Sequence, residues 1–588
     1  MTFREKLALG PVLFDGAMGT YFAEKYDREI KACELANLHT PEDVLRVHLE
    51  YIHAGCDCIK TNTFGANPLS LECALEEALQ VIDAGWALAN QAAQGKDVHI
   101  FADLGPIPHD KAGSTPEDYY PLLSRFISLG AENFLLETFS SAEILPALSA
   151  FIKAQKPDAF ILTSFAVMPD GFSRLGESAS RLYTAMQRDP NTDAVGFNCV
   201  SGPSHLRKLI STLPKGSKPL SVMPNAGYPS LVGGRTYYGN SASYYAQTVA
   251  ALCGEGASIV GGCCGTNPDY IAHCRDALRS LSPAATLSTS PETANAVQEL
   301  PNRLWDKLSR GEKVVAVELD PPVNSDIRAF LTGAQALQMA GADAITIADC
   351  PVSRARADSS ILACKLHREL GIDPIPHLTC RDRNINATKA LLLGLNIEGV
   401  NNVLVVTGDP VPSAEREAIK SVYNFNSPRL AGFIRDLAPE LAHGAFRVYA
   451  ALNINAPNFD AHINYAKKKI ENGVSCFLTQ PVHSAQALEN LKRAHEELDA
   501  KILGGIMPIV SYRNAVYMTS EIAGIRVCDE IVERYRDLDR DACSEMAVNI
   551  TTAIAEHMLP FVDGYYMITP FMRTDLTTRI LSNIQKLF

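Results

Sequence analysis

Three cysteines at the ends of two predicted strands are the residues of the first half best suited to chemistry. Cys199 follows the apolar run Ala194–Asn198, and the pair Cys263 and Cys264 follows the run Ser258–Gly261. Three thiolates would hold Zn²⁺ and leave its fourth position open for a substrate thiol, which the metal would deprotonate. Two other interpretations stay open here: buried cysteines in a chain that has fifteen, or a strained disulfide within the vicinal pair.

Polar residues also end other predicted strands of the first half. Catalytic groups of a parallel barrel lie where its strands end, so these residues are candidates for a site. Asp15, Thr61 and Asn62 have an alternative role as turn caps. Glu137 could instead form an ion pair within the barrel, and Asp103 fits a site or a structural role equally. The candidates are Asp15 with the adjacent Gly16, and Thr61, Asn62, Asp103 and Glu137.

The second half offers a carboxylate at an equivalent position. Glu318, in VAVELDPP, ends the first predicted strand of this half. A buried carboxyl group at a barrel mouth is a good general acid when burial raises its pKa. The other interpretation is a structural turn residue beside the double proline. Further polar strand ends are Asp349, His377, Thr379, Asp409 and Gln480.

The elements that position these residues alternate regularly along the chain. Each half has eight short apolar or β-branched runs, separated by stretches with helical spacing such as 41–53 and 67–93. This pattern predicts an α/β protein with two (β/α)8 TIM barrels, and the alternative is an open doubly wound sheet in either half. No GxGxxG motif follows a strand, so a Rossmann dinucleotide site has no support. The predicted strands are 11–14, 58–61, 98–102, 133–137, 160–165, 194–198, 219–223 and 258–261, then 314–318, 344–348, 375–379, 403–407, 446–451, 476–479, 502–506 and 564–568.

Composition divides the chain and limits its partners. A stretch rich in Ser, Thr, Ala and Pro predicts a linker at 283–300, between domains at 1–282 and 301–588. The net charge of −13 argues against nucleic acid as a partner. No apolar run reaches the 18 residues of a membrane span, and the N-terminus lacks the apolar stretch of a secretory signal. We therefore expect a cytoplasmic enzyme that acts on small molecules.

The first half resembles the homocysteine S-methyltransferase family. FDGAMGT, TNTFGAN, LLETF, GFNC and GGCCGTNP carry the resemblance over residues 1–280. It implies one zinc ion held by Cys199, Cys263 and Cys264, with the homocysteine sulfur at the open position. Asp15 and Glu137 match positions that hold the substrate amino group, as two carboxylates suit an ammonium ion. The methyl donor stays open among a betaine, S-methylmethionine, S-adenosylmethionine and methylcobalamin. We expect no cobalamin module within the chain, so the last donor would need an external cobalamin carrier.

The second half is similar to methylenetetrahydrofolate reductases. VELDPP, PHLTCRDRN, LVVTGDP, AKKKIENGVSCFLTQ and GYYMITPFMR carry the similarity over residues 310–575. It implies FAD bound across a barrel, NAD(P)H as reductant, and Glu318 as the acid that protonates a pterin nitrogen. The implied flavin contacts are His377, Thr379, Asp409 and Lys469, and Asp409 would also tune flavin reactivity. Gln480 and Arg573 are implied to lie near the folate. The run 467–469 has an alternative role as a solvated helix face, and NINAPN at 453–458 departs from the family pattern.

The two halves together predict a bifunctional enzyme of methionine and one-carbon metabolism. One barrel would make 5-methyltetrahydrofolate and the other would methylate homocysteine. The alternative is one active barrel, with the other a scaffold or a reductase of a different substrate. Direct methyl transfer from folate to homocysteine is a separate hypothesis, because the methyl group sits on a tertiary amine, which is a poor leaving group. The choice of NADH or NADPH and the oligomeric state, with a homo-oligomer among the options, stay open.

Overall fold

Alternating strands and helices build two separate units, Met1–Glu292 and Thr293–Phe588. The computed structural model describes residues 1–26, 32–108, 114–227, 229–232, 235–238, 241–280, 299–409, 411, 420–521 and 525–588. All but the last two residues of the predicted linker 283–300 lie outside these ranges. The predicted domain bounds at 282 and 301 therefore stay predictions.

The first unit is an eight-stranded parallel sheet wound into a barrel. Its strand order is β1-β10-β7-β6-β5-β4-β3-β2, and a parallel bridge between Phe14 and Cys58 joins the two ends. An antiparallel hairpin of β8 and β9, which the sequence did not predict, lies between β7 and β10 in the chain. The strands are β1 (Val12–Leu13), β2 (Cys58–Lys60), β3 (His99–Leu104), β4 (Asn133–Phe139), β5 (Phe160–Phe165), β6 (Ala194–Asn198), β7 (Leu220–Met223), β8 (Pro229–Val232), β9 (Arg235–Tyr238) and β10 (Ala257–Val260).

Helices surround this barrel. The stretch Pro41–His53 shows why they form: proline begins it, acidic residues follow in its first turn, and the apolar Val44, Val47 and Tyr51 share its buried face. The α-helices are Phe3–Leu9, Gly19–Tyr26, Ala36–His39, Pro41–His53, Pro68–Leu71, Leu75–Ala93, Pro116–Ser128, Leu145–Gln155, Ala179–Arg188, Pro203–Ser211, Ala242–Gly254 and Pro268–Arg279, with a 3₁₀ turn at Cys33–Leu35.

The second unit is a closed parallel barrel in simple chain order. Its strands are β11 (Val314–Leu319), β12 (Ala344–Ile347), β13 (Asp373–Thr379), β14 (Asn402–Val406), β15 (Arg447–Leu452), β16 (Val474–Pro481), β17 (Lys501–Ile506) and β18 (Gly564–Ile568). Its α-helices are Arg303–Ser309, Arg328–Met339, Ser359–Leu370, Ile385–Ile397, Ser427–Asp436, Phe459–Glu471, Ala485–Glu497, Tyr512–Glu521, Asp529–Arg534, Arg540–Met558 and Thr574–Ile584. Short 3₁₀ turns lie at Pro351–Ser353, Ala438–Glu440, Leu559–Phe561, Pro570–Met572 and Gln585–Leu587.

The prediction of two (β/α)8 barrels is confirmed, and the open doubly wound sheet is wrong. Each of the sixteen predicted strands overlaps a barrel strand. In each barrel, a short helix before the first strand closes the lower end, which is the end where the strands begin. Phe3 packs edge-on against Phe101 and Phe160 in the first, and Leu304 and Leu308 join the interior core of the second. Among the described residues, no helix is long and apolar enough to cross a membrane.

Aspartates at the lower rim tie neighbouring strands together in both barrels. Asp57, Asp193, Asp343 and Asp563 each stand immediately before a strand and accept the backbone N–H of a residue in the preceding neighbour. Each carboxylate also pairs with a basic side chain, which keeps it satisfied where it is partly buried. The four N–H donors are Leu13, Ile161, Val315 and Ile502, and the basic partners are Arg275, Lys153, Lys307 and Lys501.

We expect Asp343→Ala to lower the free energy of unfolding of the second unit by about 1–3 kcal/mol, as typical for a hydrogen bond to a charged group. The variant leaves the Val315 N–H (2.8 Å) and the Lys307 ammonium (2.6 Å) without their acceptor. Urea denaturation would measure the change. Asp326→Ala is the control, because that exposed carboxylate pairs only with nearby Arg328, and it should stay within about 0.5 kcal/mol. Equal losses in both variants would contradict a role for the rim aspartate.

Candidate active sites

The three predicted cysteine ligands converge at the mouth of the first barrel. The Sγ atoms of Cys199 and Cys264 are 3.6 Å apart, and all three sulfurs, including that of Cys263, lie within 4.8 Å of one another. Cys199 follows β6 and the vicinal pair follows β10, with β7 between them in the sheet. All fifteen cysteines are free thiols, so the disulfide interpretation is wrong. The cluster can hold one metal ion.

The backbone is strained at Cys199, beside the thiol cluster. Cys199 and Val200 have φ of +60° and +59°, a left-handed conformation that residues other than glycine rarely adopt. Such strain is typical of functional sites. For both Cys199 and Cys264, one hydrogen bond within the thiol cluster lowers the pKa and another raises it. Burial adds to the increase, and the pKa of each thiol is raised to about 12. The thiols therefore need a cation to ionise at neutral pH.

Asn198 connects the thiols with the acidic part of the same mouth, and the sequence did not single it out as a site residue. Its Nδ2 donates to Thr138 Oγ1 at 2.7 Å and to Glu137 Oε2 at 3.3 Å, and lies 3.9 Å from Cys263 Sγ. Its Oδ1 accepts from Ser164 at 2.7 Å. An amide can do this because it is donor and acceptor at once.

Asp15, Asp103 and Glu137 form a buried acidic cluster with Lys60, a residue that the sequence analysis missed. Lys60 Nζ is 3.1 Å from Asp15 Oδ1 and donates to the carbonyls of Gly16 and Gly262, each at 3.4 Å. Burial lowers the pKa of Lys60, but Asp15 and Glu137 outweigh it and raise the pKa overall. The lysine is therefore a permanent cation.

Thr61 and Asn62 have partners within the protein. Thr61 Oγ1 contacts Thr63 Oγ1 at 2.6 Å, and Asn62 Nδ2 donates to Asn37 Oδ1 at 2.9 Å. Both side chains thus support the loop after β2. Gly16 has no room for a side chain, because a Cβ would lie 2.7 Å from Thr266 Oγ1. Contact of these residues with a substrate stays a prediction.

Glu318 lies inside the mouth of the second barrel with two partners from other strands. Tyr566 of β18 donates to its Oε2, and His377 Nε2 of β13 is 3.5 Å from the same atom. Burial raises the pKa of Glu318 to about 7, although the tyrosine hydrogen bond lowers it. Burial also lowers the pKa of His377 to about 4, so its ring is neutral at pH 7. A carboxyl group with this pKa can deliver a proton near neutral pH.

Two of the predicted flavin contacts, Thr379 and Asp409, take part in hydrogen bonds with aspartate and arginine residues. Thr379 donates through its N–H (3.1 Å) and Oγ1 (2.9 Å) to Asp349 Oδ2, which Arg383 also contacts at 2.7 Å. Arg381, which is 2% exposed, donates to the backbone carbonyl of Asp409 at 3.0 Å. The two arginines were not predicted as site residues, although they belong to the quoted motif PHLTCRDRN.

Lys469 is buried, whereas the two lysines that precede it are exposed. Its Nζ donates to the Ala451 carbonyl at 2.8 Å, and it lies 5.2 Å from the ring centre of Tyr465. Burial lowers its pKa to about 8. Lys467 and Lys468 are exposed, so the solvated-face interpretation holds for them and is wrong for Lys469.

The remaining two predicted residues differ in their surroundings. Gln480 is half-buried near the end of β16. Arg573 follows β18 and makes a two-pronged ion pair with exposed Asp575, at 2.8 and 2.7 Å. This pair would have to open or turn for Arg573 to bind a ligand, so its predicted role stays a prediction.

Fold and site geometry define a tandem (β/α)8 enzyme, with a thiol cluster at one mouth and a buried carboxyl group at the other. Residues 12–278 match the family model for homocysteine S-methyltransferase, and residues 303–585 match the model for methylenetetrahydrofolate reductase. The first half thus carries a homocysteine S-methyltransferase domain and the second a methylenetetrahydrofolate reductase domain, and these two domains support a role in methionine and one-carbon metabolism.

Curated relatives and solved structures each match just under half of the chain. Methionine synthase of Mycobacterium tuberculosis is 27% identical over 315 residues, 49% of this chain and 26% of that protein, so the chain spans about a quarter of its length. Homocysteine S-methyltransferase YbgG of Bacillus subtilis is 26% identical over 307 residues, 46% of this chain and 95% of that protein. The metallated homocysteine methyltransferase MmuM of Escherichia coli is 20% identical with a TM-score of 0.37, covering 45% of this chain and 96% of MmuM.

Proposed function

We propose that the chain is a bifunctional enzyme of methionine and one-carbon metabolism. The first barrel transfers a methyl group to L-homocysteine and gives L-methionine. The second reduces 5,10-methylenetetrahydrofolate to 5-methyltetrahydrofolate with NAD(P)H. The convergence of three free thiols at one barrel mouth carries the first activity, and a buried carboxyl group with a pKa of about 7 carries the second.

The first mouth suits one zinc ion held by Cys199, Cys263 and Cys264. Three sulfurs within 4.8 Å form the soft donor set that zinc accepts, with a coordination position to spare. When bound, the metal supplies the acidity that ionises a substrate thiol. Asn198 orients the cysteine-bearing strand end, and the acidic cluster with Asp15 and Glu137 attracts the substrate ammonium group. Gly16, Thr61 and Asn62 shape the pocket.

The second mouth suits FAD. His377, Thr379, Asp409 and Lys469 are the residues proposed to hold it, and buried Lys469 offers a cation to a phosphate group. Gly408, at φ +91°, keeps the loop after β14 close to Thr379, because a Cβ there would lie 3.2 Å from that residue. When bound, the flavin supplies the hydride chemistry that links NAD(P)H to folate.

Glu318 is the proposed proton donor to a pterin nitrogen. Protonation opens the ring that carries the one-carbon unit and makes that carbon a hydride acceptor, so the acid must be protonated when folate binds. Gln480 and Arg573 are the proposed folate contacts, and Asp409 places a negative charge near the flavin. We place this enzyme in the cytoplasm, with small molecules as its partners.

The test is an anaerobic incubation of the purified protein with homocysteine, methylenetetrahydrofolate and NAD(P)H. Oxidation of the nicotinamide tests the second activity. Methionine formed at the same rate would mean that folate is the methyl donor. Without methionine, the first barrel is tested with S-methylmethionine, S-adenosylmethionine, a betaine and methylcobalamin, free or on a carrier protein. Failure of all donors would refute the methyltransferase, and absence of nicotinamide oxidation would refute the reductase.

We expect Tyr566→Phe to shift folate reduction toward alkaline pH. The tyrosine hydrogen bond stabilises the ionised form of Glu318, so its removal raises the pKa of Glu318 above about 7. Because the acid acts when protonated, the alkaline limb of the pH profile should move to higher pH. Reoxidation of the reduced flavin by methylenetetrahydrofolate, followed at several pH values, measures it. An unchanged limb would show that Tyr566 does not control this acid.

A further inference from the structure

Lys60, Asp103 and Glu137 stand on three neighbouring strands and point into the first barrel. Lys60 pairs in register with Phe101 of β3, and Asp103 lies two residues further along that strand. Asp103 pairs with Leu135 of β4, and Glu137 again lies two residues further. Residues two apart in a strand share a face, so the three side chains follow one another around the mouth.

Lys60 forms a buried ion pair with Asp15. Its Nζ lies 3.1 Å from Asp15 Oδ1 and donates to the carbonyls of Gly16 and Gly262, each at 3.4 Å. The lysine is 8% exposed and Asp15 is 2% exposed. A second ammonium group entering the pocket would have to displace a buried ion pair to reach Asp15, and breaking such a pair is strongly unfavourable.

Asp103 has an acceptor atom without a partner in the part of the chain that the structure describes. It is 3% exposed, and its Oδ1 is buried without a hydrogen-bond partner, which is unusual for a carboxyl oxygen in a native interior. Burial raises the pKa of Asp103 well above its usual range, and the neighbouring Glu137 carboxyl group adds to this effect. The ion pair of the cluster joins Lys60 to Asp15, so among the described residues Asp103 and Glu137 have no ion-pair partner.

The charges of the cluster leave a place for one cation. Three carboxyl groups share one lysine, so the cluster is short of a cation once Lys60 has paired with Asp15. A substrate ammonium group would supply that cation and a donor for the unpartnered Oδ1 atom of Asp103.

We propose that the α-ammonium group of the amino-acid substrate binds between Asp103 and Glu137, while Lys60 withholds Asp15 from it. Asp103 is then a residue that selects substrates with an amino group next to the carboxylate. This inference rests on the proposed homocysteine-binding function of the first barrel, and it changes which carboxyl groups contact the substrate.

The test compares homocysteine with 4-mercaptobutanoate, which has the same thiol and carboxylate but no amino group. Dissociation constants are measured by calorimetry on the full-length, zinc-loaded protein and on its Asp103→Leu variant, with zinc content as a check. We expect the variant to bind homocysteine about 10–100-fold more weakly, the range for a hydrogen bond to a charged group. Binding of 4-mercaptobutanoate should stay within about twofold.

Two further variants sharpen the result. Asp103→Asn should recover most of the homocysteine affinity, because the amide keeps an oxygen acceptor and an N–H for Glu137. Asp189→Asn is the control: this buried carboxyl group accepts from Ser149 and Thr192 away from the thiol cluster, so both constants should match the unmodified protein.

Failure of this inference and failure of the proposed function would give different results. Equal weakening of both ligands in Asp103→Leu, or no weakening, overturns the inference. An unmodified protein that binds the two ligands equally well also overturns it, although thiol binding at the metal would stand. An unmodified protein that binds neither ligand refutes the proposed function of the first barrel, and the inference with it.

Discussion

Glu318→Gln should abolish folate reduction while the flavin is still reduced by NAD(P)H. Glutamine keeps the size of the side chain and a hydrogen-bond acceptor for Tyr566, but it has no proton to give. General acids contribute typically 10²- to 10⁴-fold, so we expect the folate step to slow by about that factor. Stopped-flow bleaching of the flavin by NAD(P)H and its recovery with methylenetetrahydrofolate measure the two half-reactions separately.

The two half-reactions also supply the control for this variant. The rate of flavin bleaching should stay within about twofold, because hydride transfer from nicotinamide needs no proton from this carboxyl group. Loss of both half-reactions would indicate that Glu318 supports the flavin site itself. Retention of both would show that the proton comes from another group.

Cys263→Ala should remove both the metal and methyl transfer. Two thiols remain after the substitution, which is fewer than the three protein ligands of catalytic zinc sites. We expect zinc content to fall from about one per chain to less than about a tenth. Methyl transfer should fall by more than the roughly 10–100-fold caused by loss of a residue that merely supports a metal site. Metal analysis and a homocysteine methylation assay measure the two effects.

Cys253→Ala is the matched control. Cys253 is also a free, partly buried thiol, but it lies in the helix Ala242–Gly254 and outside the cluster. Zinc content and methyl transfer should be unchanged in that variant. Retention of zinc and full activity in Cys263→Ala would refute the ligand assignment.

The sequence predicts the barrels well because their signal is local. A buried parallel strand such as β5 is a short apolar run between polar stretches, and this can be recognised without knowledge of its neighbours. The ends of strands were less certain, because a bulge extends β4 to Phe139 and β16 runs on to Pro481. The hairpin of β8 and β9 was missed because it belongs to no β–α unit.

The site was only partly predictable, since its remaining members act through contacts across the sheet. Lys60 looks like the end of an ordinary strand until Asp15 is placed 3.1 Å away. Tyr566 is separated from Glu318 by 248 residues in the chain, and only the closure of the barrel brings them together. Asn198 was quoted in GFNC, but its hydrogen bonds to two other strand ends required the fold. Sequence patterns identify which residues can react, while tertiary contacts decide their charge.

The lower-rim aspartates divide each barrel into an end that maintains the fold and an end that is free to vary. Asp57 and Asp343 fix strand register at the rim opposite the mouth, by bonds that involve no group of the thiol cluster or of the Glu318 site. Residues of the mouth such as Lys60 and Asp103 can therefore be exchanged during evolution without loosening the register of the strands. Two barrels built with the same device can diverge toward unrelated reactions within one polypeptide, each keeping its own scaffold intact.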